Sequence, residues 1–598
     1  MLKTEYVITT DRVPEEFYGE IWNNQGQRKE WKDLGFEIPK TRDELKIKKL
    51  PIDTKYFGQE FKERLLERLT ESADLDDLLD GLLIKSENYQ ALNLILGKYK
   101  EKVQTIYIDP PFNKEQDADY LYNVKYKDST WVSLLENRLW LAKDLLSERG
   151  SIFVRCDYNG NWLVRPLMNE VFGEENFRNE MILNRSGIQK EAKNKFLVAT
   201  DSLFLFSKNE AWQPKETYEF RETGWLSFVH YPGERKANKE RSVFGRVLLP
   251  PAGRHWGINQ ELIDTWLDRK WIRFKCKICG YQHYEGVWEK CPKCNKDEFI
   301  PEIKNPPKKV DSNWTNIPSY SQDPDFPTRN AEELLKRVIE STSNERDLVM
   351  DYFLGSGTTT AVAHKLERKW IGIEMGEHFW TVVMPRMKKV LYYDKSGISK
   401  EKDVKEKYNP ESTGGFFKYQ ILEQYEDTLD NIELKENKQA QLKFGDDYLL
   451  KYFLDYEIRE NPYLLNIDML KNPFFYKLKV NLEEVGEPEE MVVDIPETFN
   501  YLLGLKVKKI KVRGSGRKYL FILGEKEGKD IAVVWREYQD SWEEDDFKKD
   551  KDFIIKELED WAPHIVYVNG QSILTPKLGK YTAEIRYIEP EFKRLMEG

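Results

Sequence analysis

Apolar positions divide the chain into stretches of different texture. In the first 80 residues leucines recur at helical spacing within charged surroundings, most clearly in FKERLLERLTESADLDDLLDGLL, and the pattern predicts a helical arm over residues 1–80. From Leu82 onward, short apolar runs alternate with amphipathic ones. Val103–Ile108 (VQTIYI) is nearly all apolar or β-branched, as expected for a parallel strand covered on both faces. Residues 131–148 read as an amphipathic helix ending at Gly150, and Ser151–Cys156 as the next strand. Strand, helix, strand implies a βαβ unit and a doubly wound, Rossmann-like α/β sheet. The rhythm returns downstream as helix 331–341, strand 348–353, helix 358–368 and strand 370–374. The sheet therefore reads as two halves, residues 81–184 and 326–392, around a Trp- and Arg-rich insert over 185–325. Residues 393–598 hold a hairpin-like KVKKIKVRGSGRKYLFIL, a strand IAVVWR, a charged helix and a strand HIVYVNG, which predicts a C-terminal α/β domain for partner docking or dimerisation.

Composition adds limits. The 598 residues are 40% hydrophobic and 33% charged, so the chain is globular with several domains. No run approaches about 18 apolar residues, and MLKTEYVITTDRVPEE lacks the apolar centre of a signal peptide. A cytoplasmic protein without membrane contact is expected.

Two strand ends carry candidate chemistry. Asp109-Pro110-Pro111-Phe112 follows the strand 103–108, at the carboxyl end where open α/β sheets bind ligands. The prolines remove two donors, leaving an acidic oxygen, a free carbonyl and an aromatic face suited to a flat amine; a plain turn is the alternative. Asp351-Tyr352-Phe353-Leu354-Gly355-Ser356-Gly357-Thr358-Thr359 opens a helix after another strand, so a ligand can approach the backbone and the helix N–H groups. Position 360 is Thr, without the third glycine of a dinucleotide fingerprint. Glu374 ends the next strand, where an acidic side chain commonly holds ribose hydroxyls.

The segments YIDPPF, DYFLGSGTT and IGIEM together resemble the S-adenosylmethionine-dependent DNA amino-methyltransferases. The catalytic motif precedes the cofactor motif with a long insert between, which resembles the permuted β class and, over residues 80–425, the modification subunits of type III restriction-modification systems. The resemblance implies that Asp109 and the Pro110 carbonyl bind the amine of a flipped base, with Phe112 stacking on its face. It also implies that Asp351, Phe353, Gly355, Ser356, Gly357, Thr358, Thr359 and Glu374, with Glu87 and Thr328, hold the cofactor. Asp at the first tetrad position resembles the adenine-N6 enzymes. The alternatives are a cytosine-N4 enzyme, a non-catalytic DNA-binding specificity subunit, and an enzyme acting on RNA or protein amides. The partners implied are double-stranded DNA, a second copy of the chain, and a separate restriction or translocase subunit, since no GxxxxGK[ST] motor motif occurs.

The insert carries its own signals. Cys276-x2-Cys279 and Cys291-x2-Cys294 have the spacing of two knuckles that close a structural zinc site, with four unrelated thiols as the alternative and His283 as a non-ligand. Cys156, the remaining cysteine, reads as a core thiol. Net charge is -10, which argues against a polyanionic partner, yet residues 182–310 hold 24 Lys plus Arg against 16 Asp plus Glu. That local excess of eight, and the cluster Arg235, Lys236, Lys239, Arg241, Arg246, Arg254, His255 and Trp256, predict contact with DNA; a solvated face around one buried Trp is the alternative.

Overall fold

The computed structural model describes residues 1–111, 127–185, 198–215, 218–219, 225–228, 230–233, 240–304, 308–321, 326, 328–424, 431, 467–480, 489–514 and 516–597. Eleven strands form its main sheet: β1 (Lys3–Thr9), β2 (Pro51–Asp53), β3 (Gly81–Lys85), β4 (Val103–Ile108), β5 (Leu146–Cys156), β6 (Phe177–Asn184), β7 (Thr200–Ser207), β8 (Asn313–Pro318), β9 (Leu348–Asp351), β10 (Lys369–Glu374) and β11 (Phe416–Ile421). Their order is β8-β6-β7-β5-β4-β9-β10-β3-β11-β1-β2. The run from β5 through β11 is parallel, and β7 and β1 pair antiparallel with it on either side.

Burial explains why β4 is almost continuously apolar. Ile106 and Ile108 share a core with Leu92, Leu135, Leu139 and Val164, from the helices Asn88–Tyr99, Asp128–Leu145 and Asn161–Phe172. Thr105, one position out of step, hydrogen-bonds Thr342 at 2.8 Å, so the helix Glu332–Thr342 covers the opposite face. In the middle of the sheet Met350 of β9 lies beside Ile106 of β4. Asp109, which follows β4, and Asp351, the last residue of β9, therefore emerge at the same sheet end.

Four expectations are corrected. The first 80 residues are not a helical arm: β1 pairs with β11 from Lys3 to Ile8, and β2 extends the edge. The leucine periodicity does form the helix Gln59–Thr70, which buries Phe61, Leu65 and Leu66. Gly150 caps no helix, because the helix stops at Leu145 and Gly150 lies within β5, with Val103 O only 2.9 Å from where a Cβ would stand. The insert is shorter than residues 185–325, since β7 and β8 belong to the sheet and the separate compact unit is Lys215–Asp311. Lastly, residues 393–598 are no detached domain. They contribute β11, and the helix Ile495–Leu503 packs on the helix Asn88–Tyr99, with Tyr501 O 2.9 Å from where a Cβ on Gly97 would stand.

The remainder of the C-terminal region is a five-stranded sheet of Lys506–Gly514, Lys518–Lys526, Lys529–Arg536, Ile565–Val568 and Glu584–Tyr587, joined by the helix Glu544–Leu558. The Lys215–Asp311 unit has its own core of Phe228, Val243, Phe274, Trp288 and Ile303 around a small four-stranded sheet. Among the described residues, no helix is long and apolar enough to cross a membrane.

Candidate active site

Two consecutive prolines end β4, because neither can donate to a neighbouring strand. Pro110 is buried, and the fully buried Trp131 donates its indole N–H to the Pro111 carbonyl at 2.8 Å, which fixes the turn. Asp109 keeps 16% of its side-chain surface exposed. Its Oδ2 accepts a hydrogen bond from Asn330 Nδ2 at 3.0 Å and lies 3.8 Å from Arg155 Nη1. Burial pushes the Asp109 pKa up; Arg155 and the Asn330 hydrogen bond pull against it, while Asp201 and Asp157 add to it. Phe112 lies outside the described residues.

Arg155, fully buried on β5, gives this corner its charge balance. Its Nη2 donates to Asp201 Oδ2 at 2.8 Å, its Nη1 bonds Asn330 Oδ1, and its guanidinium carbon sits 4.1 Å from the Tyr320 ring centroid. None of Arg155, Asp201, Tyr320 or Asn330 was expected from the sequence. The available signal was a charge inside an apolar strand, in SIFVRC and again in TDSLFLF. Cys156, next to Arg155, is buried as expected, and burial pushes its thiol up.

At the end of β9, Gly355 and Gly357 take φ of 55° and 78°, the left-handed region that glycine enters without strain. Asp351 accepts from Phe353 N at 3.0 Å and from Thr359 Oγ1 at 2.6 Å. Burial outweighs both donors, and with Asp109 and Glu374 nearby the carboxyl is pushed up to about 7. Ser356 and Thr358 are buried, and Arg386 holds them through Ser356 O at 3.2 Å and Thr358 Oγ1 at 2.8 Å. Gly372 on β10 admits this loop: a Cβ there would lie 2.6 Å from Leu354 Cδ2 and 2.9 Å from Thr360 Cγ2.

Glu374 spends both carboxylate oxygens on the backbone, accepting from Gly355 N and Gly376 N, each at 2.8 Å, with His378 Nε2 at 3.2 Å from Oε2. It thus ties the glycine loop to the end of β10. Glu87 caps the helix Asn88–Tyr99 by accepting from Tyr89 N and Gln90 N, and pairs with Arg138. Asn88 donates to Tyr352 O at 2.9 Å and accepts from Arg138, so that asparagine, held by the arginine, ties the two halves of the sheet together. Thr328 is partly buried in the turn before Asn330. Three acidic groups, Asp109, Asp351 and Glu374, thus surround a loop that has an open side, since a Cβ on Gly355 would meet nothing nearer than Phe353 O at 4.0 Å. Such a cradle fits a ligand carrying positive charge.

In the separate unit, the sulfur atoms of Cys276, Cys279, Cys291 and Cys294 lie within 4.8 Å of one another. Each pair sits on a tight turn closed by a backbone bond, Gly280 N to Cys276 O at 3.0 Å and Asn295 N to Cys291 O at 2.8 Å. The donor set suits a tetrahedral thiolate-preferring ion. His283 instead faces Gly286 O at 3.1 Å and packs on Phe244 and Trp288.

The basic cluster is divided. Arg235, Lys236 and Lys239 lie outside the described residues. Arg241 is buried and donates to Ile258 O; Arg246 donates to Trp288 O and Glu289 O, bracing the cysteine knuckles. Trp256 packs edge-on against Phe228 and His230. Arg254 is exposed, and His255 meets Gly233 O at 2.7 Å beside the exposed Tyr231.

Residues 103–384, which span both strand ends, match the family described as DNA methylase (N6_N4_Mtase). The probable type III restriction-modification enzyme HindVI Mod subunit of Haemophilus influenzae is 29% identical over 484 residues, which cover 70% of this chain and 63% of that one. The type II methyltransferase M.EcaI of Enterobacter cloacae is 26% identical over 343 residues, 52% of this chain and 70% of its own. Over a shorter stretch of 111 residues, the DNA adenine methyltransferase YhdJ of Escherichia coli is 38% identical, covering 17% of this chain and 38% of its own. The match thus spans less than two thirds of the length of the Haemophilus relative. The strand ends that carry Asp109 and the Asp351 loop both lie within residues 103–384, the stretch that is similar to the DNA methylase family.

Proposed function

We propose that the chain is a site-specific DNA methyltransferase that uses S-adenosylmethionine to methylate the N6 amine of adenine, as the modification subunit of a restriction-modification or related phage-defence system. The observation that carries this reading is the placement of Asp109-Pro110 and the Asp351–Thr359 loop at the ends of adjacent parallel strands. The cofactor supplies an electrophilic methyl group on a sulfonium, a cation suited to the three carboxylates. Asp351, the glycine loop and the N-terminus of the helix Thr358–Lys365 would hold its polar end, with Glu374 and Glu87 fixing the flanking strand ends.

The amine of a nucleobase is a poor nucleophile, because its lone pair is delocalised into the ring. With Oδ2 held by Asn330, Asp109 Oδ1 is placed to accept one amine hydrogen, and the Pro110 carbonyl the other. That pairing draws nitrogen toward tetrahedral geometry and frees the lone pair for in-line attack. Positioning and electrostatics then supply the rate. Phe112 is assigned to stacking on the flipped base by the family resemblance alone.

The test is nucleoside analysis of DNA incubated with the purified chain and labelled cofactor. N6-methyladenine is expected. N4-methylcytosine would favour the neighbouring activity, and DNA binding without transfer would leave a specificity subunit. The remaining parts of the reading are a cytoplasmic location, double-stranded DNA bound through Arg254, His255 and the positive 182–310 region, a homodimer, and a separate restriction subunit.

The four cysteines are assigned to structural zinc, which leaves no ligand position open for catalysis. Elemental analysis should find one zinc per chain. Cys291→Ser should lower that content and unfold the 215–311 unit; full folding of a zinc-free protein would overturn the assignment.

A further inference from the structure

We propose that Asn330, oriented by Arg155, is a positioning residue that turns one oxygen of Asp109 toward the amine of the target base. The inference deepens the reading of Asp109 as the amine acceptor and rests on it. A carboxamide can face a carboxylate with either end, and its neighbours decide which. Arg155 has donors only, so Asn330 must turn Oδ1 toward it, which leaves Nδ2 for Asp109 Oδ2. Arg155 cannot yield, because Asp201 holds its other nitrogen at 2.8 Å, Ser319 O lies 3.4 Å from Nη1, and Tyr320 covers its face. The backbone is fixed as well, since Ala331 N donates to Ser319 O at 3.0 Å and Ser321 N to Arg329 O at 2.8 Å.

Asn330 also touches the other strand end. Its carbonyl lies 3.3 Å from Thr358 Oγ1, whose hydroxyl donates to it at the start of the helix that follows the glycine loop. One residue thus contacts both the acceptor and the loop assigned to the cofactor. If Asn330 were absent, Asp109 could rotate toward Arg155 Nη1 at 3.8 Å and spend its charge there.

The experiment measures kcat against pH, and cofactor affinity, for the full chain and for Asn330→Asp and Asn330→Ala. The charged groups facing Asp109 are Arg155, Asp157, Asp201 and Asp351. Asn330→Asp adds another carboxylate at contact distance, and two carboxylates sharing a site hold a proton between them. The acid limb of kcat should therefore move up by about one pH unit or more, since two such groups cannot both ionise freely. Asn330→Ala should lower kcat about 10- to 100-fold through misorientation, with cofactor affinity nearly unchanged and the acid limb moved down, because the freed carboxylate pairs with Arg155. A merely structural role would lower stability and affinity together without moving the limb. If the aspartate variant fails to fold, the alanine variant carries the same test. An active wild type whose variants keep its kcat and its acid limb overturns the role of Asn330. A wild type inactive on DNA overturns the reading of Asp109 itself.

Discussion

Asp109 and Asp351 end neighbouring strands and are both withdrawn from water, yet different forces set their charge. Asp109 meets a guanidinium and an amide donor, brought to it from β5 and from the segment before the helix Glu332–Thr342. Asp351 meets only neutral donors, Thr359 and the Phe353 N–H, and burial takes its pKa to about 7. Identical side chains at equivalent positions of one sheet are thus tuned by what distant segments deliver to them, and the one given a cation is the one assigned to the base.

Asp109→Asn puts a donor where an acceptor is required and should produce the largest effect, a loss of methyl transfer of at least about 100- to 1000-fold. Cofactor affinity, read by titration calorimetry, should barely change, because Asp351 and the glycine loop remain. Equal loss of both would erase the distinction between the two strand ends.

Asp351→Asn should act on stability and less strongly. A carboxyl raised to about 7 in the folded protein, against an ordinary value of 3.8, binds its proton more tightly when folded. Its contribution is therefore full below about pH 4 and is lost as pH rises through about 7. The asparagine variant removes that loss, so its unfolding free energy should exceed that of wild type at pH 8, by up to about 4 kcal/mol, and the gap should close toward pH 4. A gap independent of pH would mean that burial does not govern Asp351.

The sequence was most readable where chemistry is local. The tetrad, the glycine loop and the two CxxC turns each occupy a few consecutive residues whose backbone geometry is set by Pro, Gly or Cys spacing, and β4, β9 and β10 follow their apolar runs closely. Arg155, Asp201 and Asn330 escaped because their meaning depends on strand order: β5, β7 and the loop ending at Asn330 converge only once the sheet exists. Glu374 was found but its clamp on the Gly355 and Gly376 N–H groups was not, since that contact forms only when the glycine loop folds back onto the end of β10. β1 was missed because leucine periodicity nearby favoured helix, whereas its burial comes from pairing with a strand some 400 residues away.

That pairing governs how the protein can be cut. β11 lies between β3 and β1, and just past its end Leu422 N still donates to Lys85 O at 3.1 Å. A fragment stopped after residue 392, where the sequence alone would end the second half of the sheet, would leave β3 and β1 with exposed edges and no strand between them. Shortened versions used to ask what the C-terminal region binds must therefore keep residues 1–424 together. Loss of binding or activity in anything shorter would report a torn sheet and say nothing about a missing partner site.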